Sequence, residues 1–386
     1  MNLLLKLCGA TIASVLIVSC SSNSPAASPG TTSRTTEAPT TEAPTATAPT
    51  TTAPATTTPP VTVDASKSST TAIQVAGIAG ATALSVGMVH ACALLSGGTV
   101  SCWGDNSFGQ LGGDHRGVGA SVLVPGVSGA TAIAAGQGHS CALLKGGSVA
   151  CWGNNIYGQL GDGTNNDSTV PVKVIGVKDA TGISVGGLRS CALLASRAVT
   201  CWGGGGPDLP SQLPRAIPEF SGATALAVGG AFTKMGNVDF ACAVLSDNSV
   251  TCTLQTGISA EATALDVSSS LVTDVCAVLR GGRISCYSRD SHSAIAGVFD
   301  IAGASAVGVG GSHACALLND GSIKCWGDNT YGQLGDDTRN SSDTPLPVSG
   351  LSGATAVDLG LQHSCALLQD GTVSCWGDNA DGQLGF

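Results

Sequence analysis

Cysteine spacing constrains this chain more than any other feature. Setting aside Cys8 and Cys20, the cysteines of the 386-residue chain form pairs ten residues apart: Cys92 with Cys102, Cys141 with Cys151, Cys191 with Cys201, Cys242 with Cys252, Cys276 with Cys286, Cys315 with Cys325, and Cys365 with Cys375. Each pair lies in a longer unit that starts Ala-Thr or Ala-Ser, at Ala81, Ala130, Ala180, Ala223, Ala262, Ala304 and Ala354. A repeat of about 40 to 50 residues means either a β-propeller or a helical array. The units are rich in Gly, Val and Thr and alternate at period two, which excludes the helical option. Only 11% of the residues are charged and mean hydropathy is +0.29, as suits short strands buried on both faces.

Four strands per unit follow. In the second unit they are expected near 131–135, 139–144, 148–152 and 169–175, with a long loop before the last. The seventh unit ends at Phe386 and has no fourth strand. Residues 70–82 align without a gap to 169–181, so 70–77 is expected to supply the missing outer strand and close the ring, which removes an exposed sheet edge. The fold class expected is all-β: a seven-bladed β-propeller of four-stranded antiparallel blades, closed by an N-terminal strand.

Between Cys315 and Cys325 the turn Asn319-Asp320-Gly321 suits a three-residue hairpin loop. Counting outward, the two cysteines fall at a non-hydrogen-bonded pair, where side chains approach most closely. A cross-hairpin disulfide is within reach. The competing reading is reduced, buried cysteine acting as a small apolar residue. Units 4 and 5 favour the disulfide, because they keep both cysteines at the same spacing after losing most other repeat words. No Cys-x-x-Cys occurs, which argues against a zinc or redox site.

The words His-[Ser/Ala]-Cys-Ala-Leu-Leu and Cys-Trp-Gly-x-Asn-x-x-Gly-Gln-Leu-Gly, strong in units 1, 2, 6 and 7 and weak in 3, 4 and 5, resemble the regulator of chromosome condensation repeat. That family forms seven-bladed propellers. Its eukaryotic founder exchanges nucleotide on a nuclear GTPase and binds chromatin, roles that do not suit an acidic, exported chain. Other propellers of this look are secreted bacterial protein binders, and fold alone carries no function.

Residues 1–19 read as a signal peptide: Lys6 supplies the basic start and an apolar run follows that is too short to span a bilayer. It ends Ile17-Val18-Ser19-Cys20, which resembles the bacterial lipobox; the resemblance implies lipidation at Cys20 and loss of Cys8 with the leader. Residues 20–69 are rich in Ser, Thr, Pro and Ala and cannot bury enough surface to order, so they read as a spacer. The expected placement is the cell envelope, anchored to the outer surface of a bacterial membrane.

Net charge is −10 and no basic patch is visible, which excludes nucleic acid as a partner. His90, His139, His313 and His363 each precede the first cysteine by two residues and read as scaffold rather than as a metal ring. Asp162 to Asp167 has oxygen ligands at calcium-like spacing but lacks the closing acid. Neither a nucleophile elbow nor a phosphate loop occurs, and no pair of acids stands out as catalytic. The chain is therefore expected to be a non-enzyme without a cofactor, and a monomer. Antiparallel strands put the first-to-second and third-to-fourth connections on one rim, together with Phe108, Tyr157 and Tyr331. An insertion at 230–241 joins them and brings Phe232, Lys234, Met235 and Phe240 as candidate partner contacts. The reading is a lipid-anchored module that binds an extracellular protein or glycan on this long-loop face; the alternatives are a passive envelope scaffold and a hydrolytic enzyme.

Overall fold

The computed structural model describes residues 68–114, 119–204, 211–233, 236–252, 258, 261–268, 274–288 and 295–386, with backbone only for 231–233 and 236–239. The expected signal peptide, Cys20 and nearly all of the spacer lie outside these residues.

Seven antiparallel sheets are arranged as the blades of a propeller. Strands are lettered A to D from the axis outward. Blade 2 consists of A Ala130–Ala135, B His139–Leu144, C Val149–Gly153 and D Ser168–Lys173, close to the sequence expectation. Blade 6 repeats it with Ala304–Val309, His313–Leu318, Ile323–Gly327 and Ser342–Pro347. Blade 7 takes A, B and C from Ala354–Leu359, His363–Leu368 and Val373–Gly377, and its strand D is Ser69–Gln74 from the front of the chain. That strand pairs antiparallel with strand C, Ile73 opposite Cys375. The ring therefore closes by sharing one sheet between the two ends of the propeller.

Burial explains the composition of each strand. Strand B is covered by a blade on either side, so it reads His-Ala-Cys-Ala-Leu-Leu with nearly every residue buried. Its alanines let neighbouring sheets approach. Strand D faces solvent and tolerates prolines, Pro171 and Pro345, at a sheet edge. The apolar core is a set of between-blade layers; the closing one packs Val75, Leu84, Val86 and Trp103 against Leu367, Val373 and Leu384.

The paired cysteines lie directly opposite each other on strands B and C in every blade, and a disulfide joins each pair. From blade 1 to blade 4 the bonds are Cys92 to Cys102, Cys141 to Cys151, Cys191 to Cys201, and Cys242 to Cys252. Blades 5 to 7 hold Cys276 to Cys286, Cys315 to Cys325, and Cys365 to Cys375. In blade 6 the two Cα atoms are 4.0 Å apart. On strand C, Cys102, Cys151 and Cys201 are buried, whereas Cys252 is half-buried, with no strand D beside it among the described residues.

The hairpin turn sets this register. In blade 6 the Leu318 N–H donates to the Ser322 carbonyl and Gly321 turns the chain at φ +80°. A Cβ on Gly321 would sit 2.9 Å from the Cα of Gly353. Blades 3 and 4 place Arg197 and Asn248 at this turn position, with φ of 63° and 65°.

Blades 3 to 5 depart from the pattern. In blade 4 the insertion is not a loop: strands A and B lengthen to Ala223–Thr233 and Gly236–Leu245, paired through Thr233 and Gly236. Blade 4 shows three strands among the described residues, and strand D of blade 5 is only Gly297–Phe299.

Candidate partner-binding face

The long-loop rim is built from the Trp-Gly-[Asp/Asn]-Asn-x-x-Gly-Gln-Leu-Gly corner that follows strand C. In blade 1 (strand C Val100–Gly104) the Gln110 amide donates to Asp105 Oδ2 at 2.6 Å, and its Oε1 accepts the Phe108 N–H at 2.9 Å. The Leu111 N–H donates to Asn106 Oδ1 at 2.9 Å, which closes the corner. Blades 2 and 6 hang Tyr157 on Gln159 and Tyr331 on Gln333 in the same way. In blade 7 the equivalent residue is Asp381, on Gln383. Each corner therefore presents one side chain on a fixed backbone. Phe108 is 45% exposed, Tyr157 and Tyr331 are half-buried, and Ile156 beside Tyr157 is exposed. The Asp381 carboxyl is pushed up, first by desolvation and then by Asp105 and Asp378.

The same corner locks blade to blade. The main-chain carbonyl of Gln110 accepts from Trp152 Nε1 at 2.8 Å and from Ser140 Oγ at 2.9 Å, both in blade 2. Since Ser140 donates there, it accepts from His90 Nε2 at 2.9 Å. His139 with Ser190 and His313 with Ser364 repeat the latch. These rings are fully buried, and desolvation lowers His90 to about 4 and His139, His313 and His363 to about 3. The His90, His139 and His313 imidazoles are neutral hydrogen-bond donors within the scaffold, and no group of metal-ligating side chains forms among the described residues.

Among the described residues the histidine–serine latch forms at the 1–2, 2–3 and 6–7 seams and is missing from the other four, two of which show what replaces it. His363 faces Ala91 of blade 1 (strand B His90–Leu95) instead of a serine, and neither of its ring nitrogens is bonded. Trp326 has no carbonyl for its indole N–H, and packs against Phe299 of blade 5 with centroids 4.8 Å apart.

The structure also corrects one expectation. Phe240 is 1% exposed and takes the strand position that histidine holds in other blades; its ring covers Gly229 and packs into the core. It is a core residue, not a partner contact, because the lengthened hairpin keeps it in register two residues before Cys242. The side chains of Phe232, Lys234 and Met235 lie outside the described residues. The calcium-like loop is filled from within: Asn155 Nδ2 donates to Asp162 Oδ1, the Thr164 carbonyl and hydroxyl, and the Asn166 carbonyl at 2.9–3.2 Å. Asn329 does the same in blade 6.

One group was missed by sequence reasoning. Asp266 of blade 5 (strand A Ala262–Val267) and Asp358 of blade 7 line a cavity of about 30 Å³ on the axis, with Ser85 and Ser184. The signal was present in the aligned strands Ala-Thr-Ala-Leu-Asp-Val and Ala-Thr-Ala-Val-Asp-Leu, which carry the acid at the same position.

The regulator of chromosome condensation (RCC1) repeat matches residues 81–110, 130–159, 304–333 and 354–383, and a second description of the same repeat matches 146–193 and 320–367. The chain is similar in structure to a crystal structure of Kap60 bound to yeast RCC1 (Prp20), with 18% identity, a TM-score of 0.58, and coverage of 81% of this chain and 82% of that one. It is also similar to Prp20p from Saccharomyces cerevisiae, in a structure reported with its binding properties to Gsp1p and histones, at 16% identity, TM-score 0.58, covering 81% and 84%. No curated protein matches the sequence. At these identities the likeness to the yeast protein concerns the fold.

Proposed function

Because this chain belongs to the regulator of chromosome condensation repeat family of seven-bladed propellers, we propose that it is a protein-binding module whose partner docks on the long-loop face. The observation that carries this reading is the corner geometry. Phe108, Tyr157 and Tyr331 are apolar anchors on backbones already fixed by Gln110, Gln159 and Gln333, so a partner meets them without an ordering cost. A protein of similar fold, yeast RCC1 (Prp20), is known in a structure bound to Kap60.

In our reading Phe232, Lys234 and Met235 of the blade 4 insertion also contribute to partner binding. The chain enters the propeller on the same rim: Ser68 Oγ accepts from Arg339 Nη2 at 2.7 Å, just ahead of strand D of blade 7. Seven disulfides suit an oxidising compartment, and with the lipobox-like Cys20 they support an exported, lipid-anchored protein held off a bacterial membrane by its spacer.

The test has two arms. Labelling with an alkyne fatty acid is expected to mark the wild-type chain and not Cys20→Ser; equal labelling removes the anchor from the account. Crosslinking on intact cells is expected to join the wild-type chain to a discrete protein, and the joint Phe108→Ala, Tyr157→Ala, Tyr331→Ala variant to lose it while keeping its fold. Retention of that crosslink by the variant sinks the docking face.

A further inference from the structure

The inner strands meet at the axis, and one position on each decides how neighbouring blades join there. In blade 1 (strand A Ala81–Val86) Ser85 Oγ accepts the Ala135 N–H of blade 2 at 3.0 Å. In blade 3 (strand A Ala180–Gly186) Ser184 Oγ accepts the Val228 N–H of blade 4 at 2.9 Å. In blade 5 Asp266 Oδ2 accepts the Val309 N–H of blade 6, and in blade 7 Asp358 Oδ2 accepts the Val86 N–H of blade 1, both at 2.8 Å. The remaining axial residues are Ala134, Ala227 and Gly308, which offer no side-chain acceptor.

Neither carboxyl seam carries the full rim latch. Between blades 5 and 6 the Trp326 indole is unlatched; between blades 7 and 1 the His363 ring is unlatched. At both places a carboxyl at the axis supplies an inter-blade bond, beside a rim that is only partly latched. Both carboxyls open onto one cavity that holds a water or two and no larger ligand. Two carboxyls that line one cavity resist ionising together.

We propose that Asp266 and Asp358 form a proton-linked clasp: they close the 5–6 and 7–1 seams while they hold a proton between them, and loosen both seams when both carry charge. Burial pushes both carboxyls up, Asp358 to about 7 and Asp266 well above its ordinary range, with the Asp358 charge as a further cause for Asp266. The groups that face them from the packed strands are the Ser85 and Ser184 hydroxyls. Asp274, on strand B of blade 5, and the buried rings of His90, His139, His313 and His363 are the other ionisable groups of the inner strands. The sign follows. A carboxyl whose folded value is raised contributes stability in full below its unfolded value, near 4, and that contribution is lost as pH rises toward 7. The histidines act in the opposite sense below about 6.5, so the clasp is visible in a difference between variants rather than in one curve.

The experiment uses the oxidised full chain, wild type and Asp358→Asn, each unfolded in guanidinium between pH 4 and pH 8.5. The expected result is that the ratio of the wild-type to the variant unfolding constant rises about tenfold per pH unit up to about 7 and is flat beyond it. Amide exchange gives a second reading that does not depend on global stability. Relative to Ala135 and Val228, whose acceptors are serines, the Val86 and Val309 amides are expected to lose protection above pH 7 in the wild type and not in the variant. A pH-independent ratio with parallel exchange at all four amides overturns the clasp. Strong stabilisation of the wild type at pH 8 by sodium or calcium chloride, absent in the variant, also overturns it and assigns the axis to a cation.

Discussion

The intact blades 1, 2, 6 and 7 and the worn blades 3 to 5 solve one packing problem by different means. Blades 1 and 2, 2 and 3, and 6 and 7 join through a polar latch, in which a histidine Nε2, a serine, a tryptophan and one carbonyl bond one another away from water. The seams that flank blades 4 and 5 pack rings instead. Phe240 fills the histidine position, Phe220 joins the same layer, and Phe299 covers the indole of Trp326. The disulfide is common to all seven blades. The difference teaches that the Gly-Gln-Leu-Gly corner has two separable duties, locking the next blade and presenting a residue on the rim. Where the corner is lost, apolar packing takes over the first duty and the second disappears.

The comparison can be attacked from its strongest point downward. Phe240→Ala removes a fully buried ring from the worn side and is expected to cost about 3–5 kcal/mol in chemical unfolding; a cost below about 1 kcal/mol would mean that the worn blades do not rest on their rings. Replacing Cys276 and Cys286 by serine opens an eleven-residue loop and is expected to lose up to ~3 kcal/mol, more than the same change at Cys365 and Cys375, where the latch and the closing strand remain. Equal losses at the two places would erase the contrast.

Ser140→Ala leaves the His90 ring and one lone pair of the Gln110 carbonyl unsatisfied, an expected cost of about 1–3 kcal/mol. Ala91→Ser runs the other way. The new hydroxyl would stand between His363 and the Gln383 carbonyl that already accepts from Trp103, and about 1 kcal/mol of gain is expected. The smallest effect is expected at the turns: Asn248→Gly, at φ 65°, should gain a few tenths to about 1 kcal/mol. The latch also predicts a pH dependence. Its histidines are held neutral, so unfolding takes up protons below about 6.5, and stability should fall as pH drops from there toward 4.

The blade count, the strand spans and the closing strand were legible because the period-two pattern and the repeat words record burial directly. The disulfide register was legible from the turn Asn319-Asp320-Gly321 alone. Phe240 was misplaced because an insertion in sequence suggests a loop, while the chain absorbed it by extending two paired strands and left the residue before Ala241 in its blade position. The loop 162–167 carries oxygens at calcium-like spacing without the closing acid, and in the fold they converge on the Asn155 amide. Asp266 and Asp358 escaped notice because they lie 92 residues apart and meet only when seven inner strands surround an axis.

The central claim is that the long-loop rim, not the opposite rim, meets the partner. A photo-crosslinking residue placed at Phe108 or Tyr331 on the first rim, and at Lys145 or Asp320 in the exposed turns of the second, tests it on intact cells. The account predicts one common crosslinked protein from positions 108 and 331 and none from 145 and 320. The same protein captured from 145 and 320, with nothing at 108 and 331, would contradict it.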